Sequence, residues 1–354
     1  MGAGRVSIRE DGTYEARPLR KDVVAVGVVQ TRVNGIDGDA PQAGLRANLD
    51  YMLGCIDKAQ QFGGRCDLLC FHEFPLQGYR LHWTRRHSLN VAIEVPGPEV
   101  MEIAERAKRY DCYVAFGCLA RDGDWPGHVF NWQVLVGPDG SVVDVHWKQR
   151  NVRGMFPGAE NFTTTIYDVL DEYVERYGWD RVVPVARTDI GNIAMSAVQF
   201  EPELFRCMAL KGAEIICRVA TGGCEWEDMR LTSYHNSVYT TLVNNSLNTG
   251  SGSPDFFEES ASKNDWVGRS AIFGPRGEVL AEADKFETRR RAVLPMKEFR
   301  ARHRIPDVHL ALYRHVFDAY RERYDPGLYS RALPEDKLAA FKHFQANSRW
   351  THYW

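Results

Sequence analysis

The 354-residue sequence has no run of 18 or more uncharged apolar residues, so it predicts no membrane-spanning helix. It also lacks an excess of either charge, because 44 lysines and arginines nearly balance 47 aspartates and glutamates. A dedicated nucleic-acid binder would show a basic excess, so nucleic acid is not expected as a partner. The eleven histidines include no HxH or HExxH spacing, and we expect neither a metal nor a cofactor.

CxxC pairs are absent as well. The eight cysteines are scattered, and several lie within apolar runs such as Asp67–Phe71 and Ile215–Cys217. The first 22 residues are polar and charged, without the apolar stretch of a secretory signal. Scattered cysteines within apolar runs, in a long chain without a signal of this kind, are typical of reduced, mostly buried thiols. We therefore expect a cytoplasmic protein.

Apolar material is plentiful, since 44% of the residues are hydrophobic and 12% are aromatic. Such a chain can build a large core, and its length corresponds to two domains or one large one. The composition suggests a polar arm over 1–21, a main domain over 22–298 and an extension over 299–354. Because the extension is too short to form a core easily by itself, we expect it to pack on the domain or on a neighbouring subunit.

Strands alternate with helices along the main domain. A continuous apolar run, Val23–Val29, predicts a strand buried on both faces. Turn sequences at 137–140 and 274–277 predict two hairpins. Amphipathic stretches predict helices, among them Glu227–Val243 and, in the extension, Val308–Tyr324. The alternation favours an α/β layered domain.

The first candidate for chemistry is the stretch Phe71–Tyr79, just after an apolar strand. Glu73 would lie at the carboxyl end of that strand, where ligands bind in α/β sheets. Burial there would raise its pKa and suit it to general-base work. The alternative is a solvated glutamate in a capped turn.

Two further stretches carry polar residues at strand ends. Lys148 follows an aromatic residue at the end of a hairpin strand, where a lysine either stabilises an anion or extends to solvent. Ser196 ends a strand that runs into a tight turn before a helix near Pro202. The turn offers backbone N–H groups for an oxyanion and Ser196 stands where a nucleophile would, although it is equally explained as a small strand residue.

In this order and spacing the three stretches resemble the nitrilase superfamily of carbon–nitrogen hydrolases. The similarity rests on Glu73 in an E-x-x-x-x-G-Y-like stretch, on Lys148 after an aromatic residue, and on Pro202–Arg206, which reads P-E-x-x-R. Further matching segments are Lys211–Glu214 and Gly268–Leu280. The resemblance covers roughly residues 22–297, and the pattern is most similar to the amidase branches.

The resemblance implies an αββα four-layer sandwich with a Glu–Lys–Cys triad and no cofactor. In this mechanism the glutamate takes the thiol proton and the thiolate attacks an amide or nitrile carbon. The lysine and a backbone N–H stabilise the tetrahedral anion, and water then hydrolyses the thioester. The implied partners are a small-molecule amide, ureide or nitrile and further copies of the chain, in a homodimer or larger homo-oligomer.

Counting back from Pro202 places the family's cysteine at Ser196. A hydroxyl is a much poorer nucleophile than a thiolate at neutral pH, because its pKa is far higher. One explanation is a Cys→Ser substitution in an active hydrolase, which we favour because Glu73 and Lys148 are intact. The other is a natural serine, either in a slow or altered enzyme or in a pseudoenzyme that binds a ligand without turnover.

The sequence also departs from the family at its second glutamate, expected shortly after the lysine. No acidic residue occurs over 149–158, and Arg153 falls near the expected place. A guanidinium lining the pocket would bind an anionic substrate in a bidentate fork, whereas a surface arginine on a loop is the alternative. The other residues that the resemblance suggests as substrate contacts are Tyr79, Ala197, Glu225 and Trp226. Glu225 and Trp226 are explained equally well as packing residues.

Overall fold

The computed structural model describes residues 8–80, 82–151, 163–246 and 267–351. Strands in these ranges, numbered along the chain, are β1 Val24–Gln30, β2 Leu68–Cys70, β3 Tyr113–Ala120, β4 Phe130–Val136, β5 Val142–Trp147, β6 Ala186–Thr188, β7 Gly191–Ser196, β8 Ile215–Val219, β9 Tyr239–Val243, β10 Ala271–Phe273, β11 Val279–Glu282 and β12 Thr288–Leu294.

The α-helices of the same ranges are α1 Pro41–Gln61, α2 Arg85–Val91, α3 Pro98–Tyr110, α4 Leu170–Tyr177, α5 Pro202–Leu210, α6 Trp226–Asn236, α7 Met296–Arg302, α8 Arg314–Ala319, α9 Leu328–Arg331 and α10 Lys337–Asn347. Short 3₁₀ turns cover Tyr167–Val169, Trp179–Arg181 and Leu310–Leu312. Across the described ranges, no helix combines the length and the hydrophobicity that crossing a lipid bilayer requires.

The strands form two six-stranded sheets of similar plan. The first has the order β12-β1-β2-β3-β4-β5 and the second β11-β10-β9-β8-β7-β6. In each sheet three central strands are parallel, β1 to β3 in one and β7 to β9 in the other. Antiparallel strands complete both sides of each sheet. All residues of these parallel central strands are buried, as the apolar runs of the sequence indicate.

The two sheets pack face to face through one apolar core. Val26 and Leu68 of the first sheet and Ile193 and Ile215 of the second belong to it, all 0% exposed. Helices α1 and α3 cover the outer face of the first sheet, and α5 and α6 cover that of the second. The predicted α/β class and its αββα layering are confirmed.

Two helices are shorter than predicted. Helix α6 ends at Asn236 instead of continuing to Val243, because Ser237 adopts a left-handed backbone with φ 54°. The residues that follow form β9, whose five residues are all buried between β8 and β10. The helix expected over Val308–Tyr324 is reduced to a 3₁₀ turn and the six-residue α8.

The C-terminal extension lies partly on the first half of the same chain. Arg85 of α2 donates from Nε to the carbonyl of Pro334 at 2.6 Å. Further along, the Lys337 ammonium lies 4.5 Å from the centre of the Tyr79 ring. By contrast, the apolar side chains around α8 are exposed, among them Leu312, Val316, Phe317 and Tyr320. The domain boundaries and the contact with a neighbouring subunit stay predictions.

Lys337 is expected to make the stability of the fold depend on pH. Burial lowers the pKa of this lysine from 10.5 to about 7. Between those values the unfolded chain binds more protons than the folded one, so the lysine destabilises fully below pH 7 and progressively less as the pH rises. Lys337→Met should therefore stabilise the protein most at pH 6.5, and the gain should shrink by about 2 kcal/mol by pH 9.

Urea denaturation at the two pH values measures this gain. Lys342→Met, an exposed lysine of the same helix, is the matched control and should change little at either pH. A stabilisation by Lys337→Met that is equal at pH 6.5 and pH 9 would contradict the prediction.

Candidate active site

Glu73 lies just beyond the carboxyl end of β2, where the chain passes close to β3. At Gly117 of β3 a Cβ atom would stand 2.3 Å from the Glu73 carbonyl oxygen, so only glycine allows this approach. Glu73 is 8% exposed, and its Oε1 accepts hydrogen bonds from Asn131 Nδ2 at 2.5 Å and from Lys148 Nζ at 3.1 Å. The carboxylate is thus held by one donor from β4 and one from the residue that follows β5.

Lys148 comes directly after β5. Its N–H donates to the carbonyl of Asn131 at 2.9 Å, which extends the β4–β5 ladder by one hydrogen bond. Since β2 and β5 run in the same direction within the first sheet, Glu73 and Lys148 emerge at the same edge. The backbone of Asn131 therefore positions the lysine while its side chain positions the glutamate.

Ser196 is the last residue of β7 in the second sheet and is 1% exposed. Its Oγ donates to Gln149 Oε1 at 3.0 Å and accepts from the Val198 N–H at 3.1 Å. Because Gln149 follows Lys148 in the chain, these contacts connect Ser196 to the Glu73–Lys148 pair. Glu73 and Lys148 are therefore in direct contact, and Ser196 contacts the residue that follows Lys148.

His146 links the two sheets beside this site. The buried ring accepts at Nδ1 from the Met195 N–H at 3.1 Å, and its Nε2 lies 3.2 Å from Asp144 Oδ2. Burial alone would raise the pKa of Asp144, but its hydrogen bonds and charge interactions with His146 and Arg181 outweigh burial and lower that pKa. Since Met195 precedes Ser196, the contact holds the end of β7 against β5.

Arg218 of β8 lies beneath the turn that follows Ser196 and is 0% exposed. One of its nitrogens, Nη2, donates to the Val198 carbonyl and to Asp228 Oδ2, both at 2.7 Å. The other, Nη1, donates to Thr232 Oγ1 at 2.8 Å. The guanidinium therefore ties the turn after the serine to helix α6.

Of the predicted substrate contacts, Tyr79 lies at the site. Its ring packs parallel to Phe74 with 6.0 Å between centres. Burial, assisted by the negative charge of Glu73, raises the pKa of Tyr79 well above its ordinary value. Ala197 directly follows Ser196 and is buried.

The two other predicted contacts in the described part of the chain lie at the start of helix α6. Trp226 packs in the α6–β10 region, 5.0 Å from the Phe273 ring and 3.9 Å from the Arg269 guanidinium. Glu225 is exposed and its N–H donates to Gln199 Oε1. Among the described residues, no hydrogen bond, ion pair or ring contact joins either one to the Glu73–Lys148 pair or to Ser196. Arg153 lies outside the described residues.

Asn131 and Gln149 are site residues that the sequence analysis did not select. The available signal for Asn131 was its place in β4, a fully buried strand that is otherwise mostly apolar. Gln149 carried no such signal, because its role depends on the approach of the second sheet. Within the described ranges no group of three or more His, Cys, Asp or Glu side chains is arranged to hold a metal ion.

The arrangement combines a buried carboxylate, an ammonium and a hydroxyl at a strand end, the groups that acyl transfer uses. Residues 25–294, most of the chain, match the family model described as carbon-nitrogen hydrolase. The chain belongs to the carbon–nitrogen hydrolase family. The resemblance to the nitrilase superfamily seen in the sequence is thereby confirmed.

This carbon–nitrogen hydrolase is similar to a plant and a mammalian protein. The bifunctional nitrilase/nitrile hydratase NIT4A of Lupinus angustifolius is 28% identical over 205 residues, 54% of this chain and 53% of the relative. This chain therefore spans about half the length of the plant protein. The omega-amidase NIT2 of Bos taurus is 25% identical over 275 residues, 74% of this chain and 85% of the relative.

A solved structure shares the fold of this carbon–nitrogen hydrolase. The carbon-nitrogen hydrolase from Helicobacter pylori G27 superposes with a TM-score of 0.63 at 17% identity, over 84% of this chain and 100% of that chain. At such low identity the likeness concerns the fold alone.

Proposed function

We propose that this carbon–nitrogen hydrolase cleaves a non-peptide carbon–nitrogen bond of a small molecule, an amide in the first place, with a ureide or a nitrile as alternatives. Glu73 acts as the general base, Lys148 stabilises the tetrahedral anion and residue 196 is the nucleophile. The observation that carries the proposal is the chain of contacts from Glu73 through Lys148 and Gln149 to Ser196. The names of the plant nitrilase and the bovine omega-amidase support nitriles and amides as substrates.

In the first half of the proposed reaction, Glu73 takes the proton of the nucleophile, which bonds to the carbonyl carbon while an electron pair moves onto the oxygen. When this anion collapses, the carbon–nitrogen bond breaks and the leaving nitrogen takes the proton from Glu73. In the second half, water gives a proton to Glu73 and attacks the acyl-enzyme. The carboxylic acid leaves, and the proton returns to the nucleophile.

We further propose that Ser196 stands in place of a catalytic cysteine. The Oγ–H donates to the amide oxygen of Gln149, which is not a base, so this hydrogen bond does not activate the hydroxyl. The same hydrogen bond favours the alternative of a natural serine in a pseudoenzyme that binds its ligand without turnover. The two hypotheses differ in what a thiol at this position would do.

Cys224, another cysteine of the chain, is poorly suited to act as the nucleophile in place of residue 196. Cys224, in the loop between β8 and α6, is a free cysteine. Burial raises its pKa to about 12, so at neutral pH it is a thiol rather than the thiolate that attacks carbon. The nucleophile position is therefore tested at residue 196 itself.

Ser196→Cys is expected to raise the rate of ammonia release at least about tenfold, since a thiolate is the stronger nucleophile. The assay compares it with the present protein on propionamide, a dicarboxylic monoamide, N-carbamoyl-β-alanine and 3-phenylpropionitrile. Ser233→Cys, the same exchange at another buried serine, is the matched control and should gain nothing. If Ser196→Cys stays inert while these compounds still bind, the hydrolase proposal fails and the pseudoenzyme remains.

A further inference from the structure

Of the two polar atoms of the Gln149 carboxamide, only the oxygen forms a hydrogen bond within the described residues. Gln149 is 8% exposed, and its Oε1 accepts the hydrogen bond from Ser196 Oγ at 3.0 Å. Its Nε2 is buried and has no hydrogen-bond partner in the described part of the chain. A buried N–H group without a partner is destabilising, and folded proteins keep few of them. Beside the nucleophile position, this donor is available to an acceptor on a bound molecule.

Covalent geometry places this donor close to the reacting atoms. A planar carboxamide holds its nitrogen about 2.3 Å from its oxygen, so Nε2 lies at most about 5.3 Å from Ser196 Oγ. When residue 196 attacks, the negative charge develops on the oxygen that is bonded to the attacked carbon. The Nε2 group is thus within reach of the oxygen on which negative charge develops.

The backbone around Gln149 is held from both sides. The N–H of Lys148 donates to the carbonyl of Asn131 at 2.9 Å. The carbonyls of Lys148 and Gln149 accept from the N–H groups of Ile166 and Tyr167 at 3.1 and 3.0 Å. A donor on a backbone fixed in this way needs little reorganisation during the reaction, which is the property that makes oxyanion stabilisation effective.

We propose that Gln149 is a further catalytic residue, which donates a hydrogen bond from Nε2 to the tetrahedral anion beside the Lys148 ammonium. This inference rests on the proposed function. It predicts a neutral donor acting together with a charged one, so that the anion is bound by a directional hydrogen bond as well as by an ion pair. The substrate class it favours is one whose attacked carbon bears oxygen, an amide or a ureide.

The test uses Gln149→Leu and Gln149→Glu in the Ser196→Cys protein, assayed on the amide of the panel that this parent hydrolyses fastest. Leucine removes both the donor and the acceptor, whereas glutamate keeps acceptor oxygens and loses the donor. We expect each to lower kcat by about 100- to 1000-fold, the usual effect of losing one oxyanion donor, with KM changed less than about threefold. Inhibition by the aldehyde of the same acyl group, whose adduct oxygen occupies the anion position, should weaken in parallel.

Gln61→Leu, at an exposed glutamine of α1, is the matched control and should keep the activity of the parent. Retention of kcat within threefold by either Gln149 variant overturns the proposal. Retention by the glutamate variant alone assigns the residue to orienting the nucleophile through its oxygen. Circular dichroism shows whether each variant is folded. If only one of the two folds, the activity of that variant alone tests the proposal. An inert Ser196→Cys parent defeats the proposed function and this inference together, whereas an active parent with unaffected variants defeats only the inference.

Discussion

Glu73→Gln in the Ser196→Cys protein is expected to lower kcat/KM by about 10²- to 10⁴-fold, the contribution of a positioned general base. Glutamine keeps the length of the side chain and an oxygen that accepts from Asn131, whose Nδ2 lies 2.5 Å from the carboxylate. It removes the carboxylate that we propose takes the proton of the nucleophile. Stopped assays of ammonia release over a range of substrate concentrations measure the effect.

The same substitution also leaves Lys148 without its carboxylate partner. Both side chains are about one-tenth exposed, so the ammonium loses an ion pair that water replaces only in part. The melting temperature of the variant is therefore measured beside its activity. Glu94→Gln, at an exposed glutamate paired with Arg121, is the matched control and should leave the rate unchanged. Full activity of a folded Glu73→Gln protein would remove Glu73 from the mechanism.

Arg218→Met is expected to lower the free energy of unfolding by about 3–5 kcal/mol, as breaking a buried charge pair does. The change leaves Asp228 with a carboxylate facing an apolar side chain and leaves the carbonyl of Val198 without its donor at 2.7 Å. Methionine fills much of the same volume, so the loss comes mainly from unpaired polar groups. Urea denaturation measures it.

The matched control for Arg218 is Arg276→Met, an exposed arginine in the hairpin turn between β10 and β11. It should change the free energy of unfolding by less than about 0.5 kcal/mol. A loss below 1 kcal/mol for Arg218→Met would mean that the turn after Ser196 does not depend on this guanidinium. In that case the hydrogen bonds of Arg218 are replaced by water.

The sequence was most informative where a polar residue follows a buried strand. Glu73, Lys148 and Ser196 were selected because apolar strands end just before or at these positions, and the carboxyl ends of strands collect functional groups. Their mutual approach, however, depends on how the two sheets face each other. Gln149 shows the limit, because nothing in its local sequence indicates that a serine from the other sheet lies 3.0 Å away.

The two helices that are shorter than predicted have different physical causes for their shortening. Over Glu227–Val243 the helical pattern is genuine up to Asn236, but the β-branched residues Thr240, Thr241 and Val243 favour the strand that fills the centre of the second sheet. Around α8 the amphipathic pattern is real, yet its apolar side chains lie exposed rather than against the domain. Packing supplies most of the stability of a helix, and here the described part of the chain offers little of it.

The hydrogen bond between the His146 ring and the Met195 N–H fixes the distance between the two sheets beside the candidate site. Glu73 and Lys148 belong to one sheet and Ser196 to the other, so the gap between them is set by every side chain packed in the interface. Under the proposed mechanism, a methyl group added or removed deep in that interface would change the distance between residue 196 and the Glu73 carboxylate. Under the proposed mechanism, apolar residues that touch no reactant therefore contribute to the geometry of catalysis.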